Sequence, residues 1–106
     1  MATTNNTSKN LDSPVWFITG CSTGFGRELA SHVLGLGYRT VVTARNTDDI
    51  KDLAKKGDAL LLQLDVTNHV QAETAIKVAQ DHFGYIDVLV NNAGIGYFAA
   101  VEESEE

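Results

Sequence analysis

The stretch Val15-Trp16-Phe17-Ile18-Thr19-Gly20-Cys21-Ser22-Thr23-Gly24-Phe25-Gly26 decides the fold of this chain. Its first part is an apolar, β-branched and aromatic run that predicts a strand over 15–19. Its second part is a glycine-rich turn that opens onto an amphipathic run, 27–36, with helical spacing. Glycines placed where a strand becomes a helix build an anion site. Backbone N–H groups there point outward, no Cβ stands in the way, and the helix N-terminus carries partial positive charge. In this arrangement Gly20 takes the positive φ of the tight turn, Gly24 lets the backbone approach a pyrophosphate, and Gly26 lets the helix pack closely on the sheet. Ser22 and Thr23 add hydroxyl donors. Three glycines in a turn are common by themselves, but the strand before and the helix after meet the context test for a dinucleotide fingerprint.

Working outward, strands and helices alternate. The helix after the loop is expected to place Phe25, Leu29, Val33 and Leu36 on one face and to end at Gly35 or Gly37. A second strand is expected over 39–44. Asn46 or Thr47 can then cap a short helix through Ile50 and Leu53, with Asp48 and Asp49 early and Lys55 and Lys56 late, as the helix dipole favours. A third strand over 59–64 precedes a helix capped by Thr67 or Asn68, whose Ala72, Ala75, Ile76, Ala79 and Phe83 share a face. Gly84 ends it before a fourth strand over 88–91. Strands that alternate with such helices and are apolar on both faces imply an α/β fold, a doubly wound parallel sheet with right-handed crossovers. The expected strand order is 3-2-1-4, a partial Rossmann arrangement that stops before a fifth strand.

Composition narrows the function classes. The chain has 106 residues, 43% of them hydrophobic and 21% charged, with a formal net charge of −6. These values fit one small globular domain over 15–106, and the acidic balance argues against nucleic-acid binding, which needs clustered Lys and Arg. Residues 1–14 are polar and read as a disordered leader without the pattern of a signal peptide. The acceptor-like triplets at Asn5 and Asn6 are therefore assigned to chance. The lone Cys21 has no disulfide partner, and no apolar run has the length of a membrane span, so a cytoplasmic setting is expected. Cys21 is read as packing. His32, His69 and His82 lack the grouped spacing of metal ligands, and no metal site is assigned.

Cofactor choice turns on the end of the second strand. The general fingerprint expects an acid there to bind the ribose 2′-hydroxyl of NAD. This chain has Ala44 and then Arg45, whose forked cation suits the 2′-phosphate of NADP; the plain alternative is a solvated strand-end arginine.

Three motifs together resemble the short-chain dehydrogenases/reductases. The family's Thr-Gly-x-x-x-Gly-x-Gly is matched by Thr19, Gly20, Gly24 and Gly26. Its Asp-Val after the third strand is matched by Asp65 and Val66, and its Asn-Asn-Ala-Gly after the fourth by Asn91, Asn92, Ala93 and Gly94. The resemblance implies a cofactor site formed by Gly20, Ser22, Thr23, Gly24, Phe25, Gly26, Arg45, Asp65, Val66, Asn92, Ala93 and Gly94, with the Asp65 carboxylate at the adenine. Thr43-Ala44-Arg45 looks like the NADP-preferring members. Thr23 stands where many of those carry a basic residue, so the preference for NADP over NAD rests on Arg45.

The family's catalytic residues are a Ser, the Tyr and Lys of Tyr-x-x-x-Lys, and an Asn on the helix after the fourth strand. This chain matches none of them, and neither Tyr38, Tyr85 nor Tyr97 is followed by Lys four residues on. The resemblance thus implies the NADP(H)-binding N-terminal portion of an alcohol/carbonyl oxidoreductase, itself without turnover. The alternative is a non-catalytic nucleotide-binding or subunit-pairing module. A methyltransferase shares the early fold but not the Asn-Asn-Ala-Gly segment. With the sheet ending at its fourth strand, Val88, Leu89 and Val90 are expected to form an open edge that favours self-association and limits stability. The acidic end, 102–106, is read as the first turn of a helix.

Overall fold

The computed structural model describes residues 13–92. Within them the order is β1 (Val15–Ile18), α1 (Gly24–Gly35), β2 (Arg39–Ala44), a 3₁₀ helix (Thr47–Lys56), β3 (Ala59–Gln63), α2 (His69–Phe83) and β4 (Val88–Val90). All four strands pair in parallel in the order β3-β2-β1-β4, the expected 3-2-1-4. Phe17 of β1 stands opposite Val41 of β2 and Leu89 of β4, which fixes the register across the middle of the sheet.

The sheet is apolar on both faces because both are covered. Ile18, Val42 and Ala44 pack beneath α1 and the 3₁₀ helix with Ala30, Val33, Leu34, Ile50 and Leu53. Phe17, Val41 and Leu64 pack on the other face with Ala72, Ala75 and Ala79 of α2. β2, between two strands and two layers, is buried at all six positions. Its polar members are satisfied locally, Thr40 Oγ1 donating to the Tyr38 carbonyl (3.0 Å) and Thr43 Oγ1 to that of Ile18 (3.0 Å).

Two expectations change. The buried side of α1 is Gly26, Ala30, Val33 and Leu34, while Phe25 is 65% exposed and Leu36 is 52% exposed. Gly26 sets this rotation: it must face the loop, so Ala30, Val33 and Leu34 follow at helical spacing and Phe25 is turned about 100° away. The short helix after β2 is a 3₁₀ helix, in which side chains three apart eclipse. That geometry points Ile50 and Leu53 together into the core, and both are fully buried.

Of the alternative caps, Asn46 and Asn68 serve. Asn46 Oδ1 accepts from the Asp48 N–H (3.0 Å) and Asn68 Oδ1 from the Gln71 N–H (3.1 Å). At the opposite end of the sheet, Val15 N donates to the Asp87 carboxylate (2.7 Å). Arg39 is buried there, donating to the Ser13 carbonyl and to the Tyr85 hydroxyl (2.8 Å). Ser13 itself is buried, so packing reaches back into the segment read as a leader. Residues 1–12, together with Ala93, Gly94, Tyr97 and the acidic end, lie outside the described residues.

Candidate functional site

In a 3-2-1-4 sheet the chain moves first to one side of β1 and then to the other, and the turns after β1 and β4 part to leave a crevice at the carboxyl ends of the strands. Those two turns are bonded together here. Thr19 N donates to the Val90 carbonyl (3.1 Å), Asn92 N donates to Thr19 Oγ1 (2.9 Å), and Asn92 Nδ2 donates to the Gly20 carbonyl (3.3 Å).

Gly20 has φ +68° and Gly24 has φ +65°, conformations that only glycine adopts freely. Nothing lies within 4 Å of where a Cβ on Gly24 would stand, so its backbone faces open space in which a ligand can approach. Gly26 differs. A Cβ there would collide with the Gly20 carbonyl oxygen and lie 3.0 Å from Asn92 Nδ2. The third glycine therefore fits the helix against the loop's own backbone rather than against the sheet.

The donors left for an anion can be assigned. The Cys21 N–H is committed to the Thr43 carbonyl (2.9 Å). Thr23, the N-cap residue, makes no side-chain capping bond, and the first turn of α1 holds no acid. The positive end of the helix is thus neither capped by a side chain nor neutralised, which is what a phosphate cradle requires.

Beside it lies an open groove of about 610 Å³, lined by Gly20, Ser22, Ala44, Arg45, Asn46, Asp49, Leu64 and Val66. This size is in the range of cofactor sites. The groove gathers Gly20, Ser22, Arg45 and Val66 from the expected set, contributed by the turns after three strands. Asp65 sits between two of the lining residues, and its carboxylate accepts from the Thr67 hydroxyl (2.6 Å) and the Thr67 N–H (3.0 Å). These bonds, with a smaller contribution from the charge of Arg45, hold its pKa below the usual carboxylate value. Its N–H donates to Gln71 Oε1 (2.7 Å), so the turn is set without a ligand.

Thr23 and Phe25 are exposed and line neither this groove nor a second one, about 560 Å³, that runs from Gly24 between α1 and the 3₁₀ helix. The residues not anticipated are Asn46 and Asp49. Asp49 reaches the groove from the first turn of the 3₁₀ helix. No group of three or more ligating side chains for a metal ion occurs among the described residues, and no helix among them is long and apolar enough to cross a membrane.

Cys21 is fully buried beneath the loop, its thiol 3.3 Å from the Ile18 carbonyl, and burial pushes its pKa up from 9.0 to about 11. The helix terminus does not activate it. A raised folded-state value means the protonated thiol stabilises the fold fully below pH 9, and that contribution is lost as pH rises to about 11. The stability advantage of the parent chain over Cys21→Ala should shrink by about 2 kcal/mol between pH 8.5 and 11, most of what two pK units represent, since the folded thiol is half ionised at the upper pH. Urea titrations at the two pH values measure it, and a pH-independent difference contradicts it.

Comparison with known proteins fits this geometry. Residues 14–106 match the family model described as short chain dehydrogenase. The oxidoreductase calM of Penicillium decumbens is 46% identical over 96 residues, covering 86% of this chain and 32% of that protein. Among solved structures, the actinorhodin polyketide ketoreductase with NADPH superimposes with a TM-score of 0.71 at 30% identity, over 78% of this chain and 34% of that one. The 3-ketoacyl-(acyl-carrier-protein) reductase of Brucella melitensis, complexed with NADH, gives 0.68 at 28% identity, over 76% and 34%. The chain thus spans about a third of the length of the curated relatives it matches. The sheet order, the glycine loop and the match over nearly the whole chain agree, and the chain belongs to the short-chain dehydrogenase family.

Proposed function

We propose that this chain is the NADP(H)-holding portion of an oxidoreductase that interconverts an alcohol and a carbonyl. The observation that carries the cofactor choice is Arg45. It stands on the groove at the end of β2, where an NAD site would place an acid, and opposite the turn of Asp65 and Val66. The open N-terminus of α1 with Ser22 would take the pyrophosphate, Arg45 the 2′-phosphate, and Asp65 and Val66 the adenine. Asn92 would hold the loop in shape from β4. The nicotinamide supplies hydride chemistry when bound. The chain's own contribution is to bind and orient it.

The 106-residue polypeptide alone is expected to bind without turnover, because proton transfer needs a Tyr and Lys pair that its sequence lacks. Fluorescence titration with NADPH and NADH tests binding, and turnover with a panel of carbonyl compounds tests catalysis. Saturable binding with tighter NADPH and no turnover is the expected pattern; equal affinities count against Arg45 as the selector, and turnover counts against a purely holding role. The proposed setting is the cytoplasm.

A second reading, a module that pairs with another subunit, draws on the outer edge of β4. Val88, Leu89 and Val90 are only half-buried, and among the described residues no strand pairs with that edge. Sedimentation over a range of concentrations tests it, and a concentration-independent monomer removes it.

A further inference from the structure

The cation of the proposed 2′-phosphate site shares its groove with an acid. Asp49 lines the same groove as Arg45 and Asn46, is exposed, and has no ion-pair partner among the described residues. Its backbone is pinned at both polar ends. Asp49 N donates to the Asn46 carbonyl (3.0 Å), and the Asp49 carbonyl accepts from Arg27 Nη1 (3.1 Å), an α1 side chain that also pairs with the Asp52 carboxylate. The carboxylate is therefore carried on a fixed support. Its neighbour Asp48 does not line the groove and pairs with Lys51 (2.8 Å).

We infer that Asp49 is a second specificity-determining residue of the cofactor groove, one that opposes the ribose 2′-phosphate and so moderates the preference Arg45 sets. The inference rests on the cofactor reading above. A phosphate monoester carries roughly −1.5 to −2 near neutral pH. For scale, a unit negative charge about 7 Å from such a group in water repels it by an amount that corresponds to roughly a five-fold loss of affinity. NAD presents a neutral hydroxyl at the same place and escapes most of this. Selectivity is a difference between two affinities, and a repulsive element sets it as effectively as an attractive one.

The test uses the full chain and titrates NADPH and NADH against the parent, Asp49→Asn, Asp49→Lys and Asp48→Asn. Asp49→Asn should tighten NADPH about five-fold at low salt, and Asp49→Lys further, each with a much smaller change for NADH. Asp48→Asn should leave the NADPH to NADH ratio unchanged. The gain should shrink with added salt, as for an exposed charge. An unchanged ratio in both Asp49 variants, or an equal gain in Asp48→Asn, overturns the role of Asp49 while leaving the cofactor reading intact. Absence of binding of either dinucleotide by the parent chain overturns both.

Discussion

Gly26→Ala is expected to lower stability by about 3 kcal/mol, at the upper end of overpacking costs, and to weaken dinucleotide binding at least ten-fold. The added methyl has no room: it meets the Gly20 carbonyl oxygen, with the Gly20 carbonyl carbon also 3.0 Å away, and all of these are backbone atoms. Relief needs the loop or the first turn of α1 to move. Either motion breaks the Asn92 to Gly20 bond that joins the turns after β1 and β4 and misaims the donors at the helix N-terminus. Against a net stability of about 5–15 kcal/mol, a loss of this size is visible in any urea titration. Gly35→Ala is the control, since nothing lies within 4 Å of its Cβ and alanine is the better helix former, so its midpoint should hold or rise slightly. Equal midpoints for the two variants would show that the contact beneath Gly26 does not constrain the loop.

Arg45→Ala is expected to cost about 1.5–3 kcal/mol in NADPH binding, the range for a hydrogen bond to a charged group, which is a drop of roughly ten- to a hundred-fold. NADH binding should change little. The side chain is exposed at the end of β2, where its removal leaves no cavity and no buried partner, so the fold is expected to tolerate the change. That separates this variant from Gly26→Ala: one removes a contact to the ligand and the other deforms the cradle. Side-by-side titrations with the two dinucleotides decide it, and parallel losses for both would place Arg45 outside the 2′-phosphate site. Arg45→Lys should recover only part of the affinity, because an ammonium lacks the fork that pairs with two phosphate oxygens.

The elements legible in the sequence were those governed by local rules. Apolar runs mark the four strands, and the structure buries them unevenly: β2, between two strands, is buried at all six positions, whereas β3 is half-buried with Gln63 exposed and β4 is half-buried. Asn46 and Asn68 were among the expected caps because a cap depends only on neighbours in the chain. The order 3-2-1-4 followed from right-handed crossovers together with the glycine loop. The facing of α1 is not legible there, because hydrophobicity favours Phe25 and Leu36 on the buried side whereas contact with Gly20 turns Gly26 inward. No hydrophobic pattern records a requirement for the absence of a side chain.

Sequence alone thus determined the class of this protein: parallel α/β, a phosphate-type loop between β1 and α1, and an arginine where an NAD site places an acid. Those features are encoded by residue type at short range, through backbone conformation, periodicity and charge. Tertiary structure decided what the loop rests on and what else enters the groove. Gly26 proved to seat the helix on Gly20, Asn92 to hold that carbonyl from another strand, Cys21 to be a buried and poorly acidic thiol, and Asp49 to reach the groove beside Arg45. The bonds of Asn92 to Gly20 and of Cys21 to Thr43 join atoms from distant segments, and the seating of Gly26 and the approach of Asp49 depend on how the loop and the turn after β2 fold in space, which residue type and periodicity do not record.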